Sequence, residues 1–322
     1  MSEPTYVDGR WLVSRHAQVA DVLDDPRFLV PAAEPSEAGV GWLRSHVSRF
    51  ANGSEHERRR AQVQTILAEL DPRALRAEAS ASASDVLDDA AGGTVDVMSA
   101  LSRRVPLAVL ARALSIQPDS DMLVEAITAI APAYPPGAGP EQECHADAAV
   151  ERLFDQLGGR TDVAVAQVTA LVQTWDATAG LIGNSVHIGL RLPEPRPAIY
   201  ALLAETLRYS PAVRNTRRVA SVDSLIGETA IAQDSVVLLD FDAANRDPDV
   251  FADPDRFESG RAPLYMTFGH GFRACPGSDH ALALAAGVVE AVLTRCDAAS
   301  TEIAYEPSPN LRVPAALPVS VR

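Results

Sequence analysis

Cys275 lies in the decapeptide Phe268-Gly269-His270-Gly271-Phe272-Arg273-Ala274-Cys275-Pro276-Gly277, a single thiol among glycines with an arginine two residues before it. Glycine at 269 and 271 permits tight curvature and close approach of the backbone to a flat ligand. The apolar run Ala281–Leu293 predicts a buried helix directly after the loop. N–H groups of the loop and of that helix N-terminus favour negative charge on the sulfur. Cys144 and Cys296 stand in unrelated contexts. One thiolate with no second cysteine nearby suits the axial ligand of a haem and not a zinc or iron–sulfur site. The plainer alternative is a glycine-rich turn that happens to hold a buried cysteine.

Two further constellations carry charge. Glu205-Thr206-Leu207-Arg208 sets a carboxylate and a guanidinium one turn apart on the same helix face. Glu55-His56-Glu57-Arg58-Arg59-Arg60 opens a helical stretch with a run of charge that, by itself, reads as a solvated face.

The elements that must position these residues are mostly helical. Tyr6–Val13 predicts a hairpin turning at Asp8-Gly9. Helices are predicted over His16–Leu23, Arg58–Leu70, Pro72–Ala90, Val95–Leu114, Glu141–Leu157, Val163–Leu190 and Ala198–Tyr209. Tyr134–Pro140, rich in proline and glycine, is a loop on any reading. Leu225–Ile226, Ala230–Ile231 and Val236–Phe241 predict short strands.

Composition narrows the class. At 322 residues, 47% hydrophobic and 22% charged, the chain has an ordinary soluble composition. The motifs need one continuous core, so a single domain over residues 1–322 is expected. A net charge of −15 argues against general nucleic-acid or anionic-membrane binding. Met1–Asp8 is polar and the longest helical pattern is interrupted by Gln167, Gln173, Asp176, Asn184 and His187, so neither a secretory signal nor a membrane span is expected. Three cysteines without a pairing framework fit a reducing compartment. The expected location is the cytoplasm.

The Cys275 loop resembles the haem-binding loop of the cytochrome P450 superfamily, Phe-Gly-x-Gly-x-Arg/His-x-Cys-x-Gly, at every position. That resemblance implies a mainly α fold with minor β, shortened here at the N-terminus and in the lid region, and a closing hairpin at Arg312–Val319. It implies haem b with Cys275 as the metal's axial ligand, and Phe268, Gly269, Gly271 and Gly277 shaping the loop around it. Glu205 and Arg208 resemble the family's Glu-x-x-Arg motif, and Pro254-Asp255-Arg256-Phe257 its Pro-x-Arg-Phe segment. Together Glu205, Arg208 and Arg256 are expected to form a buried charge network that fixes the Cys275 loop. His56, Arg60, Arg218 and Arg273 match the family's partners for the haem propionates, where the arginine fork suits carboxylate. Arg58 and Arg59 are expected to face solvent and help dock an acidic electron-transfer partner.

The oxygen-side helix departs from the family. Its usual Ala-Gly-x-Glu/Asp-Thr-Thr aligns with Gln173-Thr174-Trp175-Asp176-Ala177-Thr178. The acid survives as Asp176, while the first threonine is Ala177, which cannot donate a hydrogen bond. Thr178, if the helix bulges, or Gln173 are the substitutes, unless a substrate hydroxyl does the work. The segments after Gly158-Gly159 and from Leu190 to Ala198 are compressed, implying a more open or smaller pocket and a bulky or carrier-bound substrate. The expected function is therefore a haem-thiolate enzyme of bacterial secondary metabolism, supplied with electrons by a ferredoxin and its reductase. It would act on a hydrophobic small molecule by hydroxylation, epoxidation, oxidative coupling or rearrangement. The alternative is a silent homologue that stabilises another biosynthetic enzyme, such as a glycosyltransferase.

Overall fold

The computed structural model describes residues 3–116, 120–135, 137–299 and 302–322. Its helices are α1 (His16–Asp24), α2 (Gly39–His46), α3 (Gly53–Ala68), α4 (Pro72–Asp89), α5 (Arg104–Ala113), α6 (Ser120–Ala133), α7 (Pro140–Gln156), α8 (Asp162–Gly189), α9 (Ile199–Tyr209), α10 (Phe241–Ala244) and α11 (Ser278–Arg295). Its strands are β1 (Thr5–Val7), β2 (Arg10–Val13), β3 (Phe28–Leu29), β4 (Thr94–Asp96), β5 (Asn215–Ala220), β6 (Ser224–Ile226), β7 (Thr229–Ile231), β8 (Val236–Asp240), β9 (Cys296–Ala298) and β10 (Pro318–Val321).

The 28-residue α8 is the axis of the larger core. It begins where the Thr161 hydroxyl accepts from the Ala164 N–H at 3.1 Å, an N-cap that satisfies one of the helix's orphan donors. It ends before the Pro193, Pro195 and Pro197 cluster, which cannot continue a helix. Its glycines admit other chain segments at backbone range: a Cβ on Gly183 would lie 2.6 Å from the Met98 sulfur, and one on Gly180 3.0 Å from the Arg312 carbonyl. Helix α11 lies equally close to α4, since a Cβ on Gly287 would stand 2.4 Å from the Arg76 carbonyl. Among the described residues, no helix is long and apolar enough to cross a membrane.

The main sheet has the order β1-β2-β8-β5-β3, with β2 and β8 parallel and the other pairs antiparallel. It packs on α1 and α10 through a second core containing Val13, Val22, Phe28, Val237 and Phe241. Asp8 and Gly9 both adopt positive φ in the β1–β2 turn, as an Asp-Gly hairpin requires. β10 closes a second sheet between β4 and β9. Just before it the chain doubles back, with the Glu306 N–H donating to the Val313 carbonyl at 2.9 Å.

Three sequence expectations need correcting. Val95–Leu114 is not one helix: β4 ends at Asp96, a π-helical turn covers Met98–Ser102, and α5 starts at Arg104. The Asp96 carboxylate accepts from the Met98, Ser99 and Leu317 N–H groups, so a strand edge and a turn compete there with a helix that apolar spacing alone would continue. β5, central in the main sheet, was not foreseen because Asn215-Thr216-Arg217-Arg218 carries no apolar alternation. Helices α2 and α6 were likewise unforeseen. The compressed connections are as expected: α7 ends at Gln156 and α8 starts at Asp162, while α8 ends at Gly189 and α9 starts at Ile199.

Candidate functional site

The Cys275 loop is built by its own backbone. Gly269 and Gly271 take φ of 75° and 64°, and a Cβ on Gly271 would strike the Asp24 carboxylate of α1 at 2.2 Å. The Gly269 N–H donates to Met266 at 2.7 Å and the Cys275 N–H to the Phe268 carbonyl at 2.8 Å, which closes the loop into a hook. Phe268 is half-buried against the larger core, and Gly277 precedes α11. The thiol lies at the molecular surface, yet dense protein on its inner side pushes its pKa up. The Gly277 N–H and the positive charges of Arg60 and Arg49 pull the other way and do not overcome burial. The loop alone therefore does not hold the sulfur as a thiolate; a bound metal would have to. Among the described residues, no group of three or more His, Cys, Asp or Glu is placed to hold a metal ion.

A buried network anchors this hook. Arg208 donates from Nε and one Nη to the two oxygens of Glu205, at 2.9 and 2.7 Å, with both side chains 2% exposed. Its remaining donors reach the carbonyls of Asn245, Pro254 and Arg256 at 3.1, 2.7 and 2.9 Å. Arg256 is thus a correction: it contributes only its carbonyl, and its side chain is exposed. The guanidinium that approaches Glu205 is that of Arg261, at 3.5 Å. The link to the loop runs through two residues to which sequence reasoning gave no role. Asn245, wholly buried, accepts from the Met266 N–H at 2.7 Å and donates to the Leu207 carbonyl and the Thr267 hydroxyl. Thr267 in turn donates to the Leu207 carbonyl at 2.6 Å.

Beside the hook, the structure brings His56, Arg60, Arg218 and Arg273 together. His56 is buried on α3, and Arg60, one turn later, donates to the Ala274 carbonyl at 2.6 Å. Arg273 reaches the Ala51 carbonyl at 2.6 Å and the Asn52 side-chain oxygen at 2.9 Å. Arg218, buried in β5, donates to the Arg217 carbonyl at 2.8 Å, while its Nε is buried with no partner. Burial, and then the charges of Arg273, Arg60 and Arg218, pushes His56 down to about 4. Burial and neighbouring guanidinia likewise bring Arg218 and Arg273 down to about 10, and burial lowers Arg60. None of the four pairs with a carboxylate of a described residue. Half-buried positive charge with an orphaned donor is costly unless an anion completes it. The residues present therefore fit a cofactor that offers a metal to Cys275 and carboxylates to this cluster.

Arg58 and Arg59 divide. Arg58 is half-exposed and pairs with Glu55 and Asp162. Arg59 corrects the solvent-facing expectation: it is 16% exposed and donates to the Ser45 and Val47 carbonyls at 2.6 and 3.3 Å. Its side chain is spent holding the turn before α3.

On α8 the aligned residues are less engaged. Gln173 is exposed, and Ala177, one turn on, is half-exposed on the same face. Thr178 is buried, and α8 runs unbroken through it, so the bulge that would bring its hydroxyl to that face is absent. The expected role of Thr178 is therefore withdrawn. Asp176 is held by Arg103 at 3.1 Å, and Arg103 also reaches both oxygens of Glu306 at 2.8 Å. Burial first, and Glu306 in addition, raises the Asp176 pKa against the pull of Arg103. Arg103 and Glu306 escaped the sequence reading because no motif links positions so far apart.

Comparison with known proteins places this fold and site among cytochromes P450. Residues 193–303 match the cytochrome P450 family model. The chain superposes on the crystal structure of P450BioI, in complex with acyl carrier protein carrying hexadec-9Z-enoic acid, with a TM-score of 0.87 at 24% identity. That superposition covers 97% of this chain and 92% of the other. The superposition gives this chain the cytochrome P450 fold, and the family match covers about its last third. It is 36% identical over 156 residues to the biotin biosynthesis cytochrome P450 of Bacillus subtilis, a match spanning 45% of this chain and 40% of that relative's length. It is 26% identical over 365 residues to the cytochrome P450 monooxygenase PikC of Streptomyces venezuelae, covering 98% of this chain and 86% of PikC.

Proposed function

We propose that this protein is a haem-thiolate monooxygenase acting on a hydrophobic small molecule in bacterial secondary metabolism. The observation that carries the reading is the cluster of carboxylate-free guanidinia Arg60, Arg218 and Arg273 with buried His56 beside the Cys275 hook. Cys275 would ligate the iron and the guanidinia would take the propionates, with the Arg218 Nε gaining the partner it lacks. When bound, the haem supplies reductive activation of dioxygen, with the thiolate ligand favouring O–O cleavage. The protein's own part is to hold the sulfur through the Asn245–Thr267 links and to manage protons from α8. There Gln173 offers an amide on the face it shares with Ala177. Asp176, tied to Arg103, holds its proton more tightly than a free carboxylate.

Electrons would come from a ferredoxin and its reductase, and the cytoplasm is the proposed location. The short connections around α8 and the carrier-protein complex of the P450BioI neighbour support a carrier-bound substrate. Reaction with haem, reduction and addition of carbon monoxide test the reading. A thiolate-type Soret shift at one haem per chain is expected; absence of haem uptake or of that shift would overturn it.

A second reading is a silent homologue that stabilises another biosynthetic enzyme. Ala177, with Asp176 locked in an ion pair, favours it. It predicts a protein that raises a partner enzyme's yield of active material equally well after Cys275→Ala.

A further inference from the structure

Arg103, Asp176 and Glu306 meet from three separate segments, and they meet on unequal terms. Arg103 precedes α5 directly after the π-helical turn Met98–Ser102, and Asp176 lies midway along α8. Glu306 is on the doubled-back segment before β10, pinned there by its N–H on the Val313 carbonyl. The Arg103 guanidinium lies 5.8 Å from the centre of the buried Trp175 ring, a contact that favours one orientation of the cation. Its Nη2 stands 2.8 Å from each oxygen of Glu306 and 3.1 Å from Asp176 Oδ1, while Nε is 3.3 Å from that same Oδ1. Nη2 carries two hydrogens and faces three oxygens, so the two carboxylates compete for it. Glu306 holds the nearer place. Asp176 is engaged through one oxygen, and among the described residues nothing donates to its Oδ2.

Two carboxylates on one guanidinium leave a negative charge over when both are ionised. In a partly buried site one proton relieves that excess, and it settles on the carboxylate with the weaker hold on the cation. Asp176 is that group, and its side chain is also the less exposed of the two, at 28% against 37% for Glu306. Burial raises its pKa, Arg103 opposes the rise and Glu306 adds to it; among the described residues no other charged group is felt there. Asp176 borders the face that Gln173 and Ala177 share, three residues after the one and next to the other.

We propose that Glu306 is a positioning residue for the acid of α8: by taking the nearer place on Arg103, it leaves Asp176 Oδ2 free to carry a proton and to give it up. The inference deepens the haem-thiolate reading and rests on it, since that reading is what asks α8 to manage protons. When Oδ2 gives up its proton, the carboxylate so formed finds Arg103 already at 3.1 Å. Water returns the proton through the exposed part of the side chain. The Arg103 contact is thus shared between two acids and does not lock either.

The test compares Glu306→Gln with Arg103→Gln in the full-length protein, with and without haem. Aspartate carboxyls are isotope-labelled and titrated by NMR, and the Asp176 signal is identified by its loss in Asp176→Asn. Glu306→Gln should move the Asp176 midpoint down, because Arg103 is released to it. Arg103→Gln should move the midpoint up, because its one opposing cation among the described residues is gone. Loosening of the segment would instead move both variants down, toward the value of a solvated carboxylate. The haem-loaded protein, driven by hydrogen peroxide with guaiacol as the reductant, should lose turnover as the pH rises through the midpoint. That limb should shift down in Glu306→Gln and up in Arg103→Gln. Midpoints that stay fixed or move the same way, or a limb that ignores midpoints that have moved, would overturn the role of Glu306. Should Arg103→Gln not fold, an unmoved midpoint in Glu306→Gln is enough to do so. Failure of the wild type to take up haem sinks the haem-thiolate reading, whereas unmoved titrations in a haem-loaded protein sink the role of Glu306 alone.

Discussion

Helices α9 and α8 both carry positions that align with cytochrome P450 motifs, but they treat their polar groups in opposite ways. On α9, Glu205 and Arg208 are sealed from water, and each donor or acceptor meets a partner. On α8, Gln173 is accessible and Ala177 half-accessible on one face, and the acid Asp176 is tied to residues from two distant segments. A buried network must be complete to be tolerated, so its residue types change little without loss of the fold. An exposed face has no such constraint and is free to follow the chemistry. The difference implies that the cysteine side of this molecule reports the fold, and the α8 side reports the reaction.

The largest effect expected from breaking that contrast is at Arg208. Arg208→Met leaves the buried Glu205 carboxylate with only Arg261, at 3.5 Å, and strips donors from the Asn245 and Pro254 carbonyls. A cost of about 3–5 kcal/mol is expected, read as a lower denaturant midpoint. A loss below about 1 kcal/mol would show that the pair is not sealed as described.

His56 gives the next largest effect, and it depends on pH. Its pKa falls from 6.5 to about 4 on folding, so below 6.5 the unfolded chain binds a proton that the folded chain refuses. The stability gained by keeping His56 neutral is full above pH 6.5 and is lost as the pH drops through the window toward 4. Between pH 6.5 and 4.5 the haem-free protein should lose about 2–3 kcal/mol more than His56→Gln does. Haem should narrow that gap, since propionate charge offsets Arg60, Arg218 and Arg273. A gap that haem leaves unchanged would mean that the propionates lie elsewhere.

On α8 the informative change is Ala177→Thr. Threonines in this protein's helices donate to the carbonyl one turn back: Thr169 to Val165 at 2.6 Å, Thr174 to Ala170 at 2.8 Å, Thr206 to Leu202 at 2.8 Å. A threonine at 177 would take the Gln173 carbonyl in the same way, with its hydroxyl on the face it shares with Gln173. If Ala177 is only a handicap, product formed per electron consumed should rise by roughly two- to tenfold, the worth of one hydrogen bond. An unchanged ratio, or loss of activity, would show that the face is adapted to a different reaction.

What the sequence made legible follows the same division. The Cys275 hook, α8 and its two ends, and the Glu205–Arg208 pair could be read because their physics is local: glycines where φ is positive, a capping threonine, prolines beyond a helix, an i,i+3 spacing. Residues whose partners come from far along the chain could not. Arg103 and Glu306 meet across 203 positions, and Tyr134 comes to Phe50 only through the packing of α6. Polar β5 hid because strand pairing with β8 and β3, not apolar alternation, holds it. Asp176, Gln173 and Ala177 lie on the long helix α8, but their partners come from segments that the sequence does not link to it.

Arg256 and Arg261 show how narrow that margin is. Both lie in the segment between α10 and the Cys275 hook, and the family pattern points to Arg256 as the inward cation. The segment turns so that the Arg256 carbonyl, not its guanidinium, meets Arg208, which leaves Arg261 to approach Glu205 and pair with Glu258 at 2.9 Å. A backbone carbonyl is indifferent to the side chain it travels with. Arg256→Ala should therefore change stability by no more than about 0.5 kcal/mol, as at an ordinary surface position. Arg261→Ala, which removes a largely buried cation beside a buried carboxylate, should cost about 1 kcal/mol or more. Equal midpoints for the two variants would return the inward role to neither arginine, and a larger loss at Arg256 would restore the family arrangement.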